Sequence, residues 1–440
     1  MENIEQPYVQ YMYSYPHKTA YRELSGINLG EEFKKLIGKN NSLYFHIPFC
    51  QYKCGYCNLF SIAGASEKYM AAYVDSMERQ AEQFAKIMPK GVCFSDLTLG
   101  GGTPLYLTER LLERVFKIAK EYFTFADKDY DIIVETSPNQ TTDEKAALLK
   151  ENGVTRVSIG VQSFIEKELE SIFRMHTAET AKKAIAALKR QNFDSLNIDI
   201  IYGIPKQTKD TLKELLSTAV SYEPQEMFVY PLYVKPGTAL QRKGVRPDGN
   251  IYELYNYTNE FLHGKGYSNY SMRRYFRTGN EQKNDKYVSC GFENTLSIGC
   301  GGRSYIDRLH FCTPYAVEKS CCVRTLDEYI KKNDYLKVTN GIVLSDEEMK
   351  RRYVIKNILF ATGVSLSEYR SLFASSLLED FPFINEWAAC GFAEVTGDNI
   401  RLTDKGISYS DALGPMFISE EIADRMRQWY KDAREKGKNG

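Results

Sequence analysis

Six short runs rich in branched apolar residues alternate with segments of helical period through the first half of the chain. No other feature limits the fold as strongly. The runs are Leu43–Ile47, Asp96–Leu99, Asp131–Glu135, Arg156–Val161, Leu196–Ile201 and Met227–Tyr230. Between the first two, Met70, Tyr73, Val74, Met77, Ala81, Phe84, Ala85 and Met88 recur at the i, i+3, i+4, i+7 spacing of an amphipathic helix. Thr108 reads as the N-cap of a helix through Leu111, Leu112, Val115 and Ile118, and Thr142 and Gly153 bracket another. Further helices fit Ala178–Gln191 and Lys209–Ser221. Strand–helix units in series build a parallel sheet, because each crossover helix returns the chain to the same end of the sheet. The expected class is α/β, with the sheet curved or closed into a barrel. Such sheets carry their functional residues at the C-terminal ends of the strands.

Several chemically capable residues fall at those ends. Cys50, Cys54 and Cys57 follow the first strand, in Tyr44-Phe-His-Ile-Pro-Phe-Cys-Gln-Tyr-Lys-Cys-Gly-Tyr-Cys57. The spacing is C-x₃-C-x₂-C, with no fourth cysteine nearby. Cysteine thiolates are the usual ligands of iron–sulfur clusters, normally four per cluster. Three thiolates can hold three irons of a cubane and leave the fourth open to a substrate or cofactor. Structural zinc wants four ligands, usually in knuckles far apart in sequence, and the adjacent pair Cys321-Cys322 makes a poor second knuckle. His46 falls inside the first strand and is read as a barrel residue. After the second strand, Gly100-Gly101-Gly102-Thr103-Pro104 offers a backbone platform that a ligand can approach, although a tight turn would use the same residues. Glu135 can accept a hydrogen bond from an ammonium or stand as a surface carboxylate. Gln162 places an amide past the fourth strand, and Arg174 can reach a carboxylate or sit as a solvated charge. Asp199 is an acid within an apolar strand, where an unpaired carboxylate is costly, so a partner such as a ribose is expected.

Composition removes other classes. Lysine plus arginine equals aspartate plus glutamate, 57 of each, so no chain-wide field draws it to nucleic acid or anionic membrane. No apolar stretch approaches the length of a membrane span. The first residues lack the basic and apolar regions of a signal peptide, so the ten cysteines point to a reducing, cytoplasmic setting. Cys300, Cys321 and Cys322 are read as small core residues. The organisation expected is an N-terminal segment (1–40), a barrel core (41–235), an extension (236–340) and a mostly helical C-terminal module (341–440). In that module a helical run, Glu347 to Phe360, precedes Phe392–Val395, a turn at Gly397 and Ile400–Leu402. This helix–hairpin–helix order is winged-helix-like, but no basic recognition helix accompanies it, so a pocket cap is the expected role.

Taken with its flanks, the cysteine run is similar to the signature of radical SAM enzymes (SAM is S-adenosylmethionine). Within them the chain resembles the oxygen-independent coproporphyrinogen III dehydrogenase-like family, which includes the haem chaperones and class C radical SAM methylases. The resemblance implies a partial (β/α)6 TIM-like barrel and a [4Fe-4S] cluster on Cys50, Cys54 and Cys57. It implies SAM bound to the open iron through its amino and carboxylate groups and cleaved reductively to a 5′-deoxyadenosyl radical. It places that SAM against Tyr44, Tyr56, Gly101, Gly102, Thr103, Glu135, Gln162, Arg174, Asp199 and Ile201. It also implies a second SAM near Ile298, in Ile298-Gly-Cys-Gly-Gly-Arg-Ser304, and near Tyr275, in Met272-Arg-Arg-Tyr-Phe276, where Phe276 would serve equally well. The partners implied are an organic or tetrapyrrole small molecule and an electron donor such as flavodoxin or ferredoxin. Two features depart from the family. The dehydrogenases carry another cysteine two residues after the triad, where this chain has Leu59, and the His-Asn-x-x-Tyr-Trp run of the haem chaperones is missing. The expected activity is therefore hydrogen abstraction from an organic substrate, with a second SAM as carbon donor. Oxidative decarboxylation of coproporphyrinogen III and haem delivery are the alternatives.

Overall fold

The computed structural model describes residues 7–128, 130–247, 249–279 and 292–438. The chain forms two compact units, one of residues 23–265 and 293–341, the other of 1–22, 266–292 and 342–440. This division differs from the four consecutive segments read from the sequence. Residues 236–265 stay with the barrel strands, and the stretch from Gly266 to Phe292 belongs with the C-terminal module. Residues 1–6 of the N-terminal segment and 280–291 of the extension lie outside the described residues.

All six expected strands are present in the larger unit, each one or two residues longer than read. They are β1 (Asn41–Ile47), β2 (Asp96–Gly101), β3 (Asp131–Thr136), β4 (Arg156–Gln162), β5 (Ser195–Tyr202) and β6 (Glu226–Pro231). They pair in chain order and in parallel. The crossovers are α1 (Glu67–Ile87), α2 (Glu109–Tyr122), α3 (Asp143–Glu151), α4 (Ala178–Arg190) and α5 (Lys209–Ser221). Ser66, Thr142 and Thr177 cap α1, α3 and α4 with side-chain acceptors, and Thr208 and Thr211 form a reciprocal capping box on α5. Thr108 does occupy the N-cap position of α2, but its hydroxyl makes no cap bond and has no hydrogen-bond partner.

The stretch read as irregular contributes a seventh parallel strand. β7 (Asn294–Ile298) joins the free edge of β1 and turns back through antiparallel β8 (Arg303–Ile306) and β9 (Leu309–Cys312). Within this unit the order is β9-β8-β7-β1-β2-β3-β4-β5-β6, so the barrel is partial and its ends do not pair. Cys300 and Cys322 are fully buried, as expected of small core residues, whereas Cys321 is half-buried.

Alternation along the strands sorts the two faces. Leu43, Phe45, Leu97, Leu99, Val134, Val157, Ile159, Ile198, Ile200, Met227 and Val229 share the face beneath the helices and are buried. The opposite parity carries Ser42, Tyr44, Asp96, Thr98, Glu135, Arg156, Ser158, Asn197, Asp199, Glu226, Phe228 and Tyr230. Ser42, Tyr44, Asp96, Thr98, Glu135, Asp199, Phe228 and Tyr230 keep accessible surface, while their strand neighbours of the other parity do not. A parallel sheet packed on both faces reads as a continuous apolar run. Here one face is polar and accessible, as the lining of an open cavity must be.

In the smaller unit, helix Asp346–Ile358 accompanies a three-stranded sheet of Val364–Ser365, Asn399–Leu402 and Ala393–Thr396, paired in that order. The last two strands are the expected hairpin. Phe383 and Phe417 pack their rings around the fully buried Trp387. The N-terminal segment is tied in by Tyr15, which donates to Glu348, and by Lys356, which donates to the Tyr13 carbonyl at 2.9 Å. Among the described residues no helix is long and apolar enough to cross a membrane.

The face assignment has a direct test. Phe45 is fully buried against Phe123 on the helix side. We expect Phe45→Ala to lower unfolding free energy by about 3–5 kcal/mol in denaturant titrations, whereas Ser42→Ala on the cavity face costs under about 1 kcal/mol.

Candidate functional site

The rim above β1 and β2 is assembled around three glycines, each doing a different steric job. A β-carbon at Gly100 would lie 2.9 Å from the Glu135 carboxylate and 3.0 Å from the Tyr44 hydroxyl, so both groups need a bare backbone there. At Gly101, with φ +113°, it would lie 2.5 Å from the His46 ring. At Gly102 it would lie 2.6 Å from the Phe49 carbonyl oxygen and 3.0 Å from Cys50 Sγ. The loop is less open to a ligand than a bare platform would be. The Gly101 N–H donates to Glu135 Oε2 at 3.0 Å, the Gly102 N–H to Ile47 O and the Thr103 N–H to Phe49 O, each at 2.8 Å. The sequence reading missed the part played by His46. Its ring accommodates Gly101 on one side and Gly301 of the second glycine loop on the other.

The cysteine loop is fastened at both ends. Thr103 Oγ1 lies 3.7 Å from Cys50 Sγ, and Arg174 Nη1 donates to Cys54 Sγ at 3.1 Å. Just after Cys54 the Gly55 N–H donates to Ile172 O at 2.9 Å, and a β-carbon at Gly55 would strike the Phe173 ring. Arg174 also donates to the Gly160 carbonyl, while its Nε is buried without a partner. Burial pushes the Cys50 thiol up to about 12, with Cys57 and Cys54 adding to the rise. Burial and Cys54 also raise Cys57. Burial opposes charge on Arg174, yet Cys54, Tyr56 and Tyr52 outweigh it and hold the guanidinium above its ordinary range.

The three thiols thus share one loop, repel one another as thiolates, and face a fixed cation. Positive iron centres would relieve that repulsion, so the donor set fits a cluster. Among the described residues no three His, Cys, Asp or Glu side chains are gathered around a single ion. A cubane asks for something wider, since each thiolate binds a separate iron.

Inside the cavity, Glu135 and Asp199 face each other's strands across Ser158 and Gly160. Asn197 Nδ2 donates to Asp199 Oδ1 at 2.6 Å and to Ser158 Oγ at 2.7 Å, and its Oδ1 is buried without a partner. Burial raises Asp199 to about 7 against the Asn197 hydrogen bond, and Glu135 raises it further. Glu135 is raised by burial, opposed by the Gly101 N–H and by Arg156. Arg156 is itself buried and paired with Glu226, through Nε at 2.7 Å and Nη2 at 2.6 Å. Arg156, Ser158 and Asn197 went unnoticed in the sequence. Their signal was available as polar residues on the parity of Glu135 and Asp199.

Gln162 closes β4 at φ +73°, where a bulge breaks the register after Gly160. Bulges re-aim side chains near functional sites. Tyr56 packs on a buried cluster of Ile172, Ile201, Ile204, Leu232 and Leu240, which places Tyr56 and Ile201 together beside the cysteine loop. The Ile298 side chain is fully buried on the parity of Phe45, beneath the helices. Tyr275 and Phe276 are fully buried in the hairpin Tyr267–Asn269/Arg274–Arg277 of the smaller unit.

The sequence pattern of the Radical SAM superfamily matches residues 44–219, which span β1 to α5. The chain belongs to the radical SAM superfamily. Its relatives within it are coproporphyrinogen III oxidases and heme chaperones. The heme chaperone HemW of Lactococcus lactis is 25% identical over 397 residues, covering 88% of this chain and 100% of that protein. The oxygen-independent coproporphyrinogen III oxidase of Pseudomonas aeruginosa is 25% identical over 419 residues, covering 89% of each. The solved structure of coproporphyrinogen III oxidase (HemN) from Escherichia coli superposes with a TM-score of 0.80 at 22% identity, covering 93% of this chain and 98% of that one. That likeness shows the shared fold. Membership in the radical SAM superfamily carries with it a [4Fe-4S] cluster and SAM as the cofactors.

The raised Asp199 gives a signed dependence on pH. Between its ordinary value of 3.8 and about 7 the folded chain binds this proton more tightly than the unfolded chain. The contribution of Asp199 to stability therefore falls as pH rises from about 4 to about 7. We expect Asp199→Asn to flatten the decline in melting temperature across that interval, and an unchanged slope would contradict the assignment.

Proposed function

We propose that this chain is a radical SAM enzyme in which Cys50, Cys54 and Cys57 hold a [4Fe-4S] cluster and the cavity behind them binds SAM for radical chemistry on an organic substrate. One observation carries the reading. The Arg174 guanidinium contacts Cys54 Sγ with its Nε still unsatisfied, and it holds the Gly160 carbonyl in register with Asp199 on the polar face that also carries Glu135. When bound, the cluster supplies the electron that cleaves SAM to methionine and a 5′-deoxyadenosyl radical. The chain's own residues recognise the rest. Arg174 receives a carboxylate, and Glu135, held by Gly101, receives an ammonium. Asp199, with Asn197 beside it, accepts from ribose hydroxyls, and Tyr56 and Ile201 present an apolar wall to a base. Gln162 adds an amide at the same rim. The half-buried cysteine loop is where a reduced flavodoxin or ferredoxin delivers its electron.

The finer reading is carbon transfer from a second SAM. It is supported by Leu59, which stands where the dehydrogenases have a cysteine and is exposed here. Haem delivery is a second reading, favoured by the alignment with a heme chaperone along that protein's whole length.

Anaerobic reconstitution with iron and sulfide, then dithionite and SAM, is expected to yield 5′-deoxyadenosine, with Cys54→Ala reducing it to background. A full cluster that yields none, or a yield indifferent to Cys54, would sink the enzyme reading. With deuterated-methyl SAM, label in the product marks carbon transfer, and loss of carbon dioxide marks decarboxylation. Stoichiometric haem binding without turnover selects delivery.

A further inference from the structure

The loop from Gln162 to His176 carries two of the residues assigned to SAM, yet its shape is not one its sequence favours. Gln162 has φ +73° and Phe173 has φ +58°. Both are left-handed conformations that cost side-chain-bearing residues free energy, and they persist only where the surroundings enforce them. A short helix, Glu166–Ser171, lies between them. On it, Glu168 is only 5% exposed.

The Glu168 carboxylate is held by two hydroxyls. Ser163, the residue after Gln162, donates to Oε2 at 2.6 Å. Thr211, in the first turn of α5, donates to Oε1 at 3.0 Å. Ser163 Oγ also accepts the Ile165 N–H at 3.0 Å, which fixes the entry to the short helix. The exit is tied to the same residue, because the Ser171 hydroxyl donates to the Glu168 carbonyl at 2.7 Å and the Ile172 N–H does so at 3.3 Å. Ile172 O then receives the Gly55 N–H, and two residues later Arg174 reaches Cys54. Burying a carboxylate between two hydroxyls is expensive, and packing alone would be better served by an apolar residue.

We propose that Glu168 is a positioning residue, whose buried carboxylate anchors the loop to α5 so that Gln162 and Arg174 face the cysteine loop. It touches neither cysteine nor cavity and acts through the two residues it places. The functional meaning of this clamp rests on the SAM-binding reading given above, but the clamp itself can be tested without any cofactor. Met175 is 70% exposed, so the Arg174–Met175 bond is open to trypsin once the loop loosens.

The experiment is limited trypsin digestion of the cofactor-free chain, paired with SAM titration of the reconstituted chain. Glu168→Ala should be cut after Arg174 about tenfold faster than the wild type and bind SAM about tenfold more weakly. Glu168→Gln should recover most of both, since an amide keeps one acceptor and can donate to the other hydroxyl. Where Glu168→Ala does not fold, Ser163→Ala and Thr211→Val decide, each expected to shift both readouts in the same direction by a smaller factor. Cutting after Arg174 at the wild-type rate in the folded variants overturns the clamp, as does unchanged SAM affinity where the wild type binds SAM. Failure of the wild type itself to bind SAM refutes the functional reading instead and leaves the proteolysis to decide the clamp.

Discussion

The rim of this protein depends on the absence of three consecutive β-carbons. Gly100, Gly101 and Gly102 each leave space for different neighbours: the Glu135 carboxylate and Tyr44 hydroxyl, the His46 ring, and the Phe49 backbone with the Cys50 sulfur. Their amide groups do the complementary work, binding Glu135 and the ends of the first strand. The cysteine loop, a carboxylate and a strand end are thereby brought within one small volume. Alanine at Gly101 would meet both a ring and a positive φ, so neither side-chain motion nor backbone relaxation alone could accommodate it.

Electrostatics inside the cavity follow from that crowding. Glu135 and Asp199 are both made harder to ionise by burial, and each is sensitive to Arg156. Arg156 is paired with Glu226 across the intervening strand, and its charge also favours ionisation of the other two acids. The polar face of the sheet therefore carries acids at Glu135 and Asp199 and a cation beside the cysteine loop, Arg174. A zwitterionic ligand with a cationic centre fits such an arrangement in one direction only.

The parts of the fold legible in the sequence are those governed by local period. The six strands and five crossover helices follow from runs such as Leu196–Ile201 and from the spacing of Met70 through Phe84, and the C-terminal hairpin follows from its turn at Gly397. The cysteines, Glu135 and Asp199 were legible because their residue types are out of place at strand ends and in apolar runs. What was not legible depends on contacts distant in sequence. β7 has too short a pattern to stand out, and only its pairing with β1 makes it a barrel strand. The role of His46 needs Gly101 and Gly301 on either side of it. The bulge that turns Gln162 is set by register with β5, and the face on which Ile298 lies is set by register with Phe45. Thr108 was placed correctly, but its missing cap bond arises from its surroundings and not from its type.

The pairing of β7 with β1 also has a consequence in time. Asn294 donates to the Asn41 side chain across 253 positions of sequence, at 3.1 Å. Until β7 is synthesised, β1 shows one bare edge, and the hydrogen-bonding groups of that edge can pair with another chain. Contacts this remote are formed late, because a long loop must close before they are rewarded. The Phe60 ring, just beyond Cys57, packs where Gly301 leaves room, and Gly301 comes later still than β7. The cysteine loop therefore lacks its final wall on the ribosome through most of translation.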